Sequence, residues 1–241
     1  LENDPAAAHR DLYARQKNPA QPVTIETLAG FLELSLGLSA WKSASGSQWS
    51  LRINPSSGNL HPTEAHLIVP PLHSNQSGVC HYTALGHMFE RRAEVPAELW
   101  QRLVSHFGVD GFFIGISSIF WRESWKYGER AFRYCNHDAG HALACASFSA
   151  NLFGWKVSYL NALSDAEIQA VLGLDQIRFR KLEAEHTDFL CFVHPLTSLH
   201  IPRDLPGQII PEFADLRFVG EPDPLSQESV HWELIYHTAR Q

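Results

Sequence analysis

The chain has no apolar run of bilayer length, no C-x-x-C pair, no excess of positive charge and no G-x-G-x-x-G fingerprint. Each absence excludes something. A membrane-spanning helix needs about 20 apolar residues; the most apolar stretch, "GFFIGISSIF" at 111–120, is far shorter and suits a buried strand. With 19 Lys and Arg against 26 Asp and Glu, the net charge of −7 gives no electrostatic reason to expect a nucleic-acid partner. The four cysteines, Cys80, Cys135, Cys145 and Cys191, lie far apart and read as reduced thiols of a cytoplasmic protein, several of them packed in the core. No secretory signal and no internal repeat is visible. The chain opens Leu-Glu-Asn-Asp without an initiating Met, which leaves room for a preceding segment.

What is present is globular: 241 residues, 44% of them hydrophobic, enough for one sizeable domain with a full core. Thr24 caps an expected amphipathic helix with apolar residues at Ile25, Leu28, Leu32 and Leu36 and a stop at Gly37. The polar stretch "WKSASGSQWSLRINPSSGNLHP" reads as a loop of over twenty residues, a length that favours a binding role. A strand at "TEAHLIVPPL", a hairpin at "GVCHYTALGHMFERR" and a helix at "PAELWQRLVSHFG" follow. The strand at 112–119 leads to an Ala- and Ser-rich helix expected over 138–153, which another element should approach closely. Beyond it lie a strand at "GWKVSYLNAL", a short helix with a Ser164–Glu167 capping box and a last strand at "TDFLCFVHPL". Alternating helices and strands give a mixed α and β class around one sheet. Residues 1–23 read as an N-terminal extension, 24–200 as the main domain, and 201–241 as a proline-rich wrapping tail that also leads into a second domain.

Two motifs carry chemistry. In "CNHDAGHALACAS", His137 and His141 stand four apart with Asp138 between, close to the zinc-protease pattern H-E-x-x-H. The helix offers no third ligand, Asp138 is one methylene short of Glu, and Gly140 suits close packing, so metal chemistry is not expected. In "RINPSSGNLHPTEAHLIV", Pro55 stiffens a turn and Gly58 admits a close backbone approach. Ser56, Ser57 and Asn59 supply donors and acceptors that could edge a flat, heteroatom-rich ring, while Arg52 could meet an anion or carbonyl. An ordinary Ser-Gly surface turn is the alternative. Trp41, Trp49, Trp121 and Trp125 flank the two motif blocks, either as walls of an aromatic pocket or as buried structural residues.

The loop and its following strand resemble the Arg-x-x-Pro-Ser-x-Gly segment of the nitroreductase-like flavoproteins, and most closely the SagB-type dehydrogenase branch. "FWRESWKYGERAFRYCNHDAGHALACASFSANLFGW" is similar to that branch's second block, and "SDAEIQAVLGLD" to the next. The resemblance covers roughly 24–193. It implies a three-layer α+β fold with a mixed central sheet flanked by helices, and FMN as cofactor. It also implies a homodimer, or a pseudo-dimer with a second such domain, that holds flavin between the halves. Arg52, Pro55, Ser56, Ser57 and Asn59 stand where family members contact flavin, largely across that interface, and the HDAGH helix resembles one lying there. Lys126 and Tyr127 match a pair used near the substrate by azoline-oxidising members; an ammonium and a phenol can pass a proton while hydride moves to flavin. The substrate would be a small molecule or a peptide.

The resemblance breaks at the phosphate. The family's Arg-Arg-Ser is absent; "HRDLYARQ" offers Arg10 and Arg15 at another spacing, and Arg203 is the nearest candidate after the last strand. An FMN phosphate carries about two charges and calls for several charge-assisted bonds. Two expectations follow. Either the chain is an FMN-dependent oxidoreductase domain, or it is a non-catalytic dimerising half that completes a partner domain's flavin site, as in a tandem protein whose second half begins after "SQESVHWELIYHTARQ".

Overall fold

A computed structural model describes residues 19–73, 75–179, 182–198, 200–224, 226, 228 and 230–239. Six strands form one sheet in the order β5 (Met88–Glu94), β4 (Gly78–Thr83), β3 (Thr63–Val69), β6 (Phe112–Ser118), β8 (His186–Pro195), β7 (Trp155–Tyr159). Every pairing is antiparallel, where a mixed sheet was expected. Helices cover both faces, so both sides of the central strands are buried; all seven residues of β6 are. Side chains alternate across the sheet. Leu67, Phe112, Ile114 and Cys191 join α1 (Ile25–Glu33) and α4 (Ala131–Leu152) in one core layer. Ile68, Phe113, Leu190 and Phe192 join α2 (Ala97–Phe107), α5 (Asp165–Leu172) and α6 (Ile209–Ala214) in the other.

Local signals set the helix ends. Thr24 and Thr27 exchange side-chain-to-backbone bonds at the start of α1, and Ser164 and Glu167 do so at α5, whose end is closed by left-handed Gly173. In the segment after β8, Leu205, Ile209 and Phe213 enter the core, and Ile235 of α7 (Glu233–Thr238) packs against Phe120, Ala131 and Cys135.

Two further expectations need correction. The long polar loop is largely a hairpin, β1 (Leu38–Ala44) with β2 (Ser47–Arg52), turned at Ser45 and Gly46, both at positive φ. Strand periodicity is hidden there because no residue of either strand is buried and no face is apolar; the Ser-Gly dipeptide was the one local clue. Helix α4 also starts seven residues earlier than expected, at Ala131, directly after α3 (Trp121–Tyr127) and a single 3-10 turn.

Candidate functional site

The chain leaves β2 at Arg52 and reaches β3 at Thr63 through the Pro-Ser-Ser-Gly-Asn loop. Gly58, Asn59 and His61 all sit at positive φ, of 65°, 61° and 50°. Asparagine tolerates this region better than most side chains, and here its amide is tied at both ends. Asn59 Nδ2 donates to the Ser50 carbonyl at 2.9 Å, and its Oδ1 accepts from His61 Nε2 at 2.7 Å.

Helices α3 and α4 grip this loop. Lys126 and Tyr127 end α3, with the ammonium 5.3 Å from the Tyr127 ring centre and the phenol ring against Tyr134 at 4.5 Å. A Cβ on Gly58 would stand 2.7 Å from both Lys126 Nζ and Tyr127 Oη. Glycine is therefore the residue that lets both functional ends close on the loop. From α4, His141 Nδ1 donates to the Pro55 carbonyl at 3.1 Å, while His137 is exposed. Among the described residues no three His, Cys, Asp or Glu side chains converge as a metal site.

Beneath the loop lie two acids that the motif reading did not assign. Glu123 of α3 and Asp138 of α4 are fully buried. Ser56 Oγ donates to Glu123 Oε1 at 3.3 Å and accepts from the His61 N–H at 2.9 Å. Glu123 Oε2 and both Asp138 oxygens have no hydrogen-bond partner among the described residues; His141 Nδ1 lies 3.6 Å from Asp138 Oδ1. Burial, then the Asp138 charge, pushes the Glu123 carboxyl up to about 8, with Ser56 and Lys126 opposing. Burial likewise raises Asp138, against Ser56, Ser57 and His141. Glu123 is thus protonated at neutral pH. The sequence signal, an acid three residues before Lys126, was too weak to single it out.

Arg52 stands apart from these residues, in the wall of two cavities. The larger, about 810 Å³, runs between the β3–β5 side of the sheet and the tail at 218–224. Its polar wall is a paired network. Arg122 bonds Glu64; His81 joins Glu64 at 2.9 Å to Glu90 at 2.7 Å; His66 and Ser117 meet Glu185 at 2.7 and 2.6 Å. Burial opposes ionisation of Glu64, yet Arg122, His81 and Arg52 hold its carboxyl well below the usual range. His81 is raised to about 9 by Glu64, Glu90 and Glu185, against its burial. The smaller cavity, about 400 Å³, lies between Arg52, Arg122, Leu60, His61, Trp121 and Trp125. Trp41 and Trp49 belong to neither; they are exposed on the hairpin.

Of the phosphate candidates, Arg10 and Arg15 lie outside the described residues, and Arg203 is exposed, its carbonyl taken by the Ala162 N–H. One surface is conspicuously bare. The outer face of α4 leaves Gly140, Ala144, Ser147 and Phe148 exposed among the described residues, none of which comes within 4 Å of a Cβ on Gly140 from outside the helix. Among the described residues, no element makes the close approach expected at Gly140.

No sequence-family profile and no curated protein sequence matches the chain. Solved structures do. A candidate nitroreductase from Anabaena variabilis superposes with a TM-score of 0.59 at 18% identity, over 87% of this chain and 48% of that one. The Escherichia coli microcin synthetase McbBCD complex, solved with truncated pro-MccB17 bound, gives 0.56 at 20%, over 78% and 72%. A candidate nitroreductase from Ralstonia eutropha gives 0.55 at 14%, over 78% and 82%. The chain spans about half the length of the Anabaena protein. No helix among the described residues is long and apolar enough to cross a membrane. Three covered layers, a six-stranded sheet and these superpositions establish a nitroreductase-like α+β fold.

Proposed function

We propose that the chain is an FMN-dependent oxidoreductase domain of the SagB type, paired with a second nitroreductase-like domain. The observation that carries this reading is the junction at Gly58, where the Pro55–Asn59 loop meets Lys126 and Tyr127. Bound FMN would supply a two-electron hydride acceptor or donor. Ser56, Ser57 and Asn59 would border its ring, with Gly58 keeping that edge thin. Lys126 and Tyr127, side by side at the loop, would hold or move the proton that accompanies hydride transfer on a small-molecule or peptide substrate. Protonated Glu123 fixes Ser56 from below without adding a second negative charge to that of Asp138.

Pairing is supported by the α4 face that no described residue covers and by the hairpin. A two-stranded ribbon is marginal alone in water, and β1–β2 leaves Trp41 55% exposed. The loop's edge suits a flavin ring; apart from Arg52 and Arg122, no cluster of cations among the described residues stands ready for its phosphate. That observation favours a second reading, in which this domain lends its loop to a flavin held by its partner and turns nothing over itself.

A visible spectrum of the purified protein with added FMN, followed by turnover of Lys126→Ala and Tyr127→Phe, tests both. Bound flavin, with turnover lost in the variants, is the expected result. A colourless protein that ignores FMN and stays monomeric would overturn the proposal, whereas flavin that binds only with a partner domain, with turnover indifferent to Lys126, would select the second reading.

A further inference from the structure

We infer that the 400 Å³ pocket beside α3 recognises a planar aromatic carboxylate, its anionic end on Arg52 and Arg122 and its ring between Trp121 and Trp125. The inference rests on the oxidoreductase reading, for which it names a substrate class. The pocket lies in the size range of small-ligand sites.

Its cationic end is under-used by the protein. Arg52 Nη1 donates to the Thr63 carbonyl at 3.0 Å, and among the described residues the guanidinium has no carboxylate within ion-pair range. Arg122 engages Glu64 and the His61 carbonyl through Nη1 alone, leaving the rest of its fork. A guanidinium fork matches a carboxylate in shape and charge. The larger cavity shares both arginines, but Glu64, Glu90 and Glu185 line it and would repel an anion entering there. Among the described residues no acid lines the smaller pocket, so it is the side from which an anion gains. His61 reports the same field: burial and then the two arginines lower its imidazole to about 4, leaving it neutral.

The apolar end is preformed. Trp121 and Trp125 stand one turn apart on one face of α3. The Trp121 indole N–H donates to Ser226 Oγ at 3.0 Å, which fixes that ring, while Trp125 is 59% exposed over the opening. Trp125 precedes Lys126 on α3, and Leu60 and His61 continue the loop from Gly58, so the pocket is built on the same helix and the same loop as the proposed proton-transferring pair.

Indole fluorescence of the intact protein, titrated with benzoate and separately with benzamide in low salt, tests the assignment. Saturable quenching by benzoate, at least tenfold tighter than by benzamide, is expected. Arg52→Met should erase the preference for the acid, and Trp125→Ala, a change at an exposed position, should weaken both ligands. Equal affinity for acid and amide, undiminished preference in Arg52→Met, or no quenching at millimolar ligand would overturn it. The titration needs no flavin. A colourless protein that selects benzoate sinks the cofactor reading alone, and a flavin-loaded protein indifferent to benzoate sinks the pocket alone.

Discussion

Two groups of buried acids lie on either side of one loop, and they are treated oppositely. Glu64, on β3, is held ionised by Arg122, His81 and Arg52. Glu123, on α3, faces another carboxyl and keeps its proton to about pH 8. Glu123 is fully buried and the Glu64 side chain 11% exposed, but what separates them is their partners. A buried charge that has its counter-ions supports the fold, whereas one left without them raises energy and marks a place where chemistry is at stake.

The contrast can be broken from either side. Arg122→Met strips Glu64 of its principal cation and should cost the most, about 3 kcal/mol in urea unfolding; adding Glu64→Gln should restore part of it. Gly58→Val comes next. It forces a side chain into left-handed backbone and against Lys126 and Tyr127, so about 1–2 kcal/mol of stability should go, and turnover should fall further than stability does. Glu123→Gln should be milder and of opposite sign. A carboxyl whose folded value is raised loses stability as pH climbs from its unfolded value of about 4.5 through 8. His81, raised to about 9, favours the fold below its unfolded value of about 6.5 and loses that favour as pH rises. Above about pH 6.5, where His61 no longer gains with pH, thermal midpoints of the wild type should therefore decline toward pH 9, and the gap in favour of Glu123→Gln should widen up to about pH 8. A constant gap would mean that Glu123 titrates normally. The smallest change in stability, within about 0.5 kcal/mol, should come from Trp41→Ser. Its effect should appear instead in sedimentation, as weaker association.

Legibility in the sequence followed the range of the interaction. The Thr24 cap, the Ser164–Glu167 box and the apolar strand at Phe112 were readable because each signal lies within a few residues. The Pro55–Asn59 loop and the Lys126–Tyr127 pair were visible as separate motifs. Their meeting at Gly58, nearly seventy positions away, was not. Glu123 went unassigned because its role depends on Asp138 in the next helix and on Ser56, 67 positions earlier. The hairpin escaped because neither of its faces is buried, so the alternation that betrays a strand has nothing to record.

The strand order has a consequence for biosynthesis. Strand β8 lies between β6 and β7, and β7 pairs with no other strand. At about 5–20 residues per second, roughly ten seconds separate the completion of β6 from that of β8. Throughout that interval the nascent chain carries an open edge on β6, whose side chains are all destined for the interior. Such an edge is a template for wrong pairing, so the yield of this protein should depend on translation speed and chaperone supply more than its finished, fully covered sheet would suggest.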